Sequence, residues 1–118
     1  MEFNIGKNST LPLLKMQINN DGKSSIDFAN SVIENSLIYF SMKDVKNGIT
    51  KIQNKKGGFV EKIFLDDGHK IEYYLYYKFS NFDTNTSGRY IGEFVLINES
   101  GNYILPLREN LYINVLDI

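Results

Sequence analysis

The chain has 118 residues, with 13 basic and 14 acidic side chains and no cysteine. This length predicts one domain, residues 1–118, that buries roughly 65% of its unfolded surface and needs no disulfide. The near-neutral charge balance argues against a basic nucleic-acid-binding face, and no apolar run reaches the roughly 20 residues of a membrane helix.

The composition predicts an all-β fold. A single alanine, Ala29, stands against fourteen isoleucines, eight tyrosines and eight phenylalanines. β-Branched and aromatic side chains favour strands, whereas alanine is the strongest helix former. We therefore expect less than about 15% helix, well below the usual third.

The first half of the chain contains short alternating segments separated by turns. Residues 1–10 form a polar lead with a candidate short strand at residues 3–5. Strands are predicted at residues 13–19 and 36–43, where the side chains of successive residues alternate between two faces. Between them, residues 25–35 fit either a single helical turn capped by Asp27 or an irregular crossover.

The second half carries turn signals every 8–12 residues, a spacing typical of β-sandwiches. Strands are predicted at residues 49–53, 59–65, 70–79, 89–97, 103–107 and 110–117. Pro106 cannot donate a ladder hydrogen bond, so its strand belongs at a sheet edge or ends there. The segment after Lys43 is the second expected edge.

Residues 79–96 organise the rest of the chain. Residues 90, 92, 94 and 96 alternate with residues 89, 91, 93 and 95, and the scarcity of polar side chains predicts a central strand largely covered on both faces. The polar turn before this strand fits the tyrosine corner of an immunoglobulin-type sandwich. The expected corner residues are Asp83, Gly88, Tyr90 and Phe94.

No residue pattern predicts an enzyme, a cofactor or a metal ion. Asp66, Asp67 and His69 have ligand chemistry, but their spacing is first that of a hairpin turn, and no other histidine or cysteine completes a zinc site. Asp83 lacks a second carboxylate or a base to work with, so we expect a structural role for it.

Four tyrosines are expected on faces turned away from the core: Tyr39, Tyr74, Tyr76 and Tyr112. Aromatic side chains are enriched in interface cores, so these are candidate interface residues. Outward rings at Tyr74 and Tyr76 would also suit the stacking of sugars or bases. A carbohydrate-binding or adhesin module is therefore the alternative function.

The order of the segments resembles a known family. Its most specific pieces are Phe40-Ser41-Met42-Lys43, Asp83-Thr84 with Gly88-Arg89-Tyr90, Glu93-Phe94, and Pro106 before the last strand. Together they are similar to the immunoglobulin-like N-terminal domain of bacteriophage baseplate upper proteins and to related small phage virion proteins.

The resemblance implies an immunoglobulin-like antiparallel β-sandwich of about seven to nine strands. It further implies a structural component of a tailed phage virion, associated with the tail, baseplate or neck. Its partners would be other virion proteins in a multi-copy assembly, with no nucleic acid and no membrane. The start MEFNIGKNST has no apolar run behind a basic segment, so we expect synthesis in the host cytoplasm.

Overall fold

The computed structural model describes residues 1–18, 36–64, 70–99, 101–106 and 109–117. All secondary structure in these ranges is strand: β1 (Glu2–Gly6), β2 (Leu14–Gln17), β3 (Leu37–Asp44), β4 (Thr50–Lys56), β5 (Gly58–Phe64), β6 (Lys70–Tyr77), β7 (Gly88–Asn98), β8 (Gly101–Leu105) and β9 (Leu111–Leu116). The all-β prediction is confirmed. The helical turn or crossover predicted at residues 25–35 lies outside the described residues.

Two sheets make up the domain. The larger follows the order β1-β9-β7-β3-β4, with β8 also paired to β7, and the smaller follows β2-β6-β5. Strand β7 has β3 along one side, while β9 and β8 share its other side. The predicted central position of this strand is confirmed.

One strand pair corrects the expectation of an antiparallel sandwich. β1 runs parallel to β9, with Glu2 opposite Tyr112 and Gly6 opposite Leu116. Hairpin connections force neighbouring strands to be antiparallel, but these two strands lie at opposite ends of the chain and have no such constraint. Because side-chain alternation is the same in either direction, the sequence pattern carries no signal for it.

The core lies between the two sheets and is rich in aromatic rings. Phe40 of β3 stacks on Tyr77 of β6 at 4.6 Å between ring centroids and lies 5.1 Å from Phe94 of β7. Phe79 meets Tyr77 edge-on at 5.2 Å. These rings connect the larger sheet to the smaller one, and offset or edge-on aromatic pairs add roughly 0.5–1.5 kcal/mol each beyond the burial of their area.

Strand β1 contributes two side chains to this core. The strand expected at residues 3–5 is present as β1, and Ile5 is only 2% exposed. Phe3 stacks against Phe79 at 5.9 Å. The amino group of Met1 also donates a hydrogen bond to the carbonyl of Asn110, so the start of the chain is held beside the last strand.

Both predicted edges lie at sheet edges. β4, which follows Lys43, closes one end of the larger sheet, and β8 ends at Leu105, one residue before Pro106. β4 extends to Lys56, beyond the predicted end at residue 53, and its register shifts twice against β3. At the first shift Asn54 takes a left-handed conformation, and its backbone amide donates to the hydroxyl of Ser41 at 2.8 Å.

Gly92 lies where two core side chains come close to the backbone of β7. A Cβ atom there would lie 2.7 Å from Cδ1 of Ile113 and 2.9 Å from the Phe40 ring. An added methyl group in a packed core destabilises a domain by about 1–3 kcal/mol. Replacing glycine by alanine also reduces the freedom of the unfolded chain, which stabilises by only about 0.4–1 kcal/mol. We expect Gly92→Ala to destabilise the domain by about 1–2 kcal/mol in urea unfolding.

A second substitution tests the cause of that loss. Ile113→Val removes the Cδ1 atom, so the double variant Gly92→Ala/Ile113→Val should be more stable than the sum of the two single changes. Purely additive losses would show that crowding between these two residues is not the cause.

Candidate functional site

The turn before β7 is held by Tyr90. This residue is 2% exposed, and its hydroxyl donates to the backbone carbonyl of Thr86 at 2.8 Å. Phe94, four residues further along the same face of the strand, is completely buried. Burial, and after it the negative charge of Asp44, raise the pKa of Tyr90, so the hydroxyl stays a neutral donor. Gly88 opens the strand with a φ of 152°.

Asp83 is the centre of a buried polar network. Its carboxylate accepts hydrogen bonds from the Tyr77 hydroxyl at 2.7 Å, the Ser80 amide at 2.9 Å and the Lys55 ammonium at 3.1 Å. Burial alone would raise the pKa of Asp83, but these three donors together hold it below its ordinary value. Burial, and then the bond to Asp83, raise the pKa of Tyr77.

Thr84, the next residue, ties this turn to the start of the chain. Its side chain is fully buried, and its hydroxyl donates to the carbonyl of Ser9 at 2.8 Å. The amide of Asn8 donates in turn to the carbonyl of Thr84 at 2.8 Å. The corner therefore fastens β6, β4 and the segment after β1 to one another.

This arrangement supports a structural role for Asp83. Among the described residues, its carboxylate contacts are with Tyr77, Ser80 and Lys55, which fix the corner, and its lowered pKa keeps it an acceptor at neutral pH. Among the described residues, no group of three His, Cys, Asp or Glu side chains has metal-binding geometry. Asp66, Asp67 and His69 lie outside the described residues.

The four candidate interface tyrosines are all half-buried, and they divide between the two sheets. Tyr39 and Tyr112 lie on the outer face of the larger sheet, whereas Tyr74 and Tyr76 alternate with buried Leu75 on the smaller one. The structure therefore does not bring them together into one surface.

Two of these tyrosines have close local contacts. The guanidinium of Arg89 lies over the Tyr112 ring at 3.9 Å and pairs with Glu2 at 2.8 Å. The Tyr76 ring covers Gly58 on the neighbouring strand, where an added Cβ would lie 2.6 Å from the ring. Part of the exposed aromatic surface expected from alternation is thus covered within the domain.

Sequence reasoning missed an apolar patch on the outer face of the larger sheet. Its members come from three adjacent strands: Leu37, Tyr39, Val95, Ile97 and Ile104. Leu37 lies opposite Ile97, and Val95 lies between Tyr39 and Ile104. Leu37 is 61% exposed and Ile104 is 48% exposed. Alternation predicts the outward face of each residue separately, but only the strand register shows that these residues are neighbours. We call this set the outer patch.

An open groove of about 270 Å³ lies next to the outer patch. It forms where β8 and β9 separate along the same side of β7, close to Glu93. Its lining mixes polar side chains such as Lys43 and Gln53 with apolar ones such as Ile91 and Pro106. Its acidic lining residues are Glu93 and Glu109.

Within the described ranges there is no helix of the length and apolar character needed to cross a membrane. Comparison of the chain with protein family models, with curated proteins and with solved structures found no match.

Proposed function

We propose that the domain is an immunoglobulin-like sandwich of the variable type. The main support is strand order. In variable-type domains strands G, F, C and C′ follow one another in one sheet, and strands B, E and D belong to the other. The series β9-β7-β3-β4 and β2-β6-β5 correspond to these sets in order along the chain.

The residues at the start of β7 give a second line of support. In immunoglobulin domains the corner tyrosine begins strand F, its hydroxyl bonds to backbone a few residues upstream, and a disulfide cysteine follows two residues later. Tyr90 bonds to the carbonyl of Thr86, and Gly92 stands at the cysteine position. The Phe40 ring occupies the adjacent space, so aromatic packing takes the place of a disulfide.

We further propose that the chain is a structural component of a tailed phage particle and acts by binding other virion proteins. The family resemblance supplies the virion context. The outer patch is the observation that supports binding: Leu37, Ile97 and Ile104 are exposed around the buried Val95, and neighbouring exposed apolar side chains on a small domain usually mark a contact surface. Asp83 and Tyr77, the strongest polar cluster at the corner, are both used within the fold.

Incorporation into particles tests this proposal. Leu37→Ser with Ile97→Ser should leave the domain folded and abolish its recovery in purified particles, because the outer patch loses two exposed apolar side chains. Tyr74→Ser with Tyr76→Ser removes both outward rings of the smaller sheet and should also abolish incorporation. The matched control is Val45→Ser with Ile49→Ser, which removes two exposed apolar side chains from the β3–β4 turn and should incorporate normally.

Two results would count against the proposal, and they are distinct. If purified particles lack the chain altogether, the virion role is wrong. If the tyrosine double variant incorporates like the wild type, the smaller sheet is not a contact surface.

The alternative is a carbohydrate-binding module that uses the same two tyrosines. Neighbouring outward rings on one strand favour it, because sugars stack on aromatic faces. The position of Tyr76 over Gly58 leaves less of that ring available. Binding on a glycan array that is lost in the Tyr74→Ser/Tyr76→Ser variant would favour this function over virion assembly.

A further inference from the structure

The edge strands of the two sheets differ in how they are protected against pairing with another chain. Natural proteins protect edges with charged side chains, bulges or very short strands. Three edges carry charged residues: Glu2 in β1, Lys15 in β2, and Lys51, Lys55 and Lys56 in β4. β4 also contains two register shifts, and β2 has only four residues.

β8 has none of these protections. Its five residues, Gly-Asn-Tyr-Ile-Leu, carry no charge, and its register against β7 is regular throughout. Tyr103 and Ile104 are 40% and 48% exposed. In the described part of the chain no strand pairs with the side of β8 that faces away from β7.

The backbone groups on that side can be assigned. The carbonyl of Arg89 accepts a hydrogen bond from Val45, so odd-numbered residues of β7 direct their backbone groups toward β3. Even-numbered residues therefore bond to β8, through residues 101, 103 and 105. The N–H and C=O groups of Asn102 and Ile104 point away from β7.

We propose that this edge pairs with the β8 edge of a second copy of the same chain. Antiparallel pairing centred on Tyr103 places Asn102 of each copy opposite Ile104 of the other. The outward N–H and C=O groups of these residues then form four hydrogen bonds. Such a two-fold contact uses the same surface on both copies and closes on itself.

The charge pattern selects a second β8 over the other edges of the domain. Pairing β8 with β4 would place a lysine-rich strand beside an uncharged one, and pairing two β4 edges would oppose like charges. Two β8 strands bring no charged side chain of either strand into the contact. Ile104 belongs to the outer patch, so self-pairing also joins the outer patches of the two copies across the axis.

The β8–β8 contact is small. A five-residue edge with a few partly exposed side chains falls short of the roughly 800 Å² per partner of a standard stable interface. The dimer is therefore weak, and it forms at the high local concentration found within an assembly. Because the pairing is measured on the purified chain alone, a failure to dimerise is distinguishable from a failure of the virion role.

Sedimentation of the purified protein from about 1 μM to about 1 mM tests the pairing. We expect the mass to rise from that of the 13.6 kDa chain to twice that value. Ile104→Lys should remain a monomer throughout, because it places two ammonium groups across the axis. The control Ile49→Lys, at a 66% exposed turn position, should dimerise like the wild type.

Amide hydrogen exchange on the wild-type protein locates the contact without a mutation. The amides of Asn102 and Ile104 should exchange quickly at low concentration and slowly at high concentration, while the amides of Tyr103 and Leu105 stay protected in both. A wild type that remains monomeric, an Ile104→Lys dimer, or fast exchange at both outward amides in the dimer would each overturn the proposal.

Discussion

Tyr90→Ala is expected to lower the free energy of unfolding by about 3–5 kcal/mol, the range for large aromatic truncations in cores. The side chain is 2% exposed, and its hydroxyl bond to the carbonyl of Thr86 is lost together with the ring. Tyr90→Phe separates the two contributions. It keeps the ring, so it should cost only about 1 kcal/mol, the typical net value of one hydrogen bond.

Denaturant unfolding measures both variants. Tyr112→Ala is the matched control, because Tyr112 is half-buried on the outer face and should lose clearly less than Tyr90→Ala. A loss below about 1 kcal/mol for Tyr90→Ala would show that the corner does not hold the sheets together.

Asp83→Ala is expected to cost about 2–4 kcal/mol, because it leaves the buried Tyr77 hydroxyl and the Ser80 amide without their acceptor. Lys55 adds little to this figure, since its side chain is 51% exposed and can return to water. Lys55→Met should therefore lose less than about 1 kcal/mol. Equal losses in the free energy of unfolding for Asp83→Ala and Lys55→Met would contradict the view that the buried donors provide most of the stabilisation.

The same carboxylate predicts how stability depends on pH. The pKa of Asp83 lies below its unfolded value of about 3.9, so its contribution is present above that pH and is lost as pH falls through the folded pKa. The free energy of unfolding of the wild type, measured in urea, should fall progressively below about pH 4. Asp83→Asn has no such carboxylate, so its stability should fall less steeply over that range.

Much of the fold follows from alternation along single strands. In β7, even spacings separate Tyr90, Phe94 and Leu96, which predicts that they share one face of the strand. All three are buried. The end of β8 could be assigned because Pro106 cannot donate a hydrogen bond. Both signals are local properties of the chain.

Features that depend on how strands meet could not be predicted in this way. The expectation that β7 is covered on both faces is only partly correct, since Val95 is buried on the outer face but Glu93 is exposed. Lys55 reaches Asp83 only because β4 shifts its register against β3. Lys55 lies in a polar run beside Gly57 and Gly58, and nothing in that run predicts a contact with the buried Asp83.

The candidate surfaces show the same division between local and long-range information. Tyr39 was expected to face outward, and it does so at half-burial, but its neighbours Val95 and Ile104 come from strands more than 50 residues later in the chain. The outer patch and the unprotected edge of β8 therefore emerge only from the sheet. Both lie on the larger sheet, whereas Tyr74 and Tyr76 lie on the smaller one, so the candidate contact surfaces lie on two sides of the domain.

We propose that this domain is an assembly module of a phage particle. Electron cryomicroscopy of particles produced from the genome that encodes the chain tests it most directly. We expect density for a two-sheet domain at repeated positions, contacting other virion proteins or a second copy through β8, the outer patch or the tyrosines of the smaller sheet. Particles whose density is fully explained without this domain would contradict the claim.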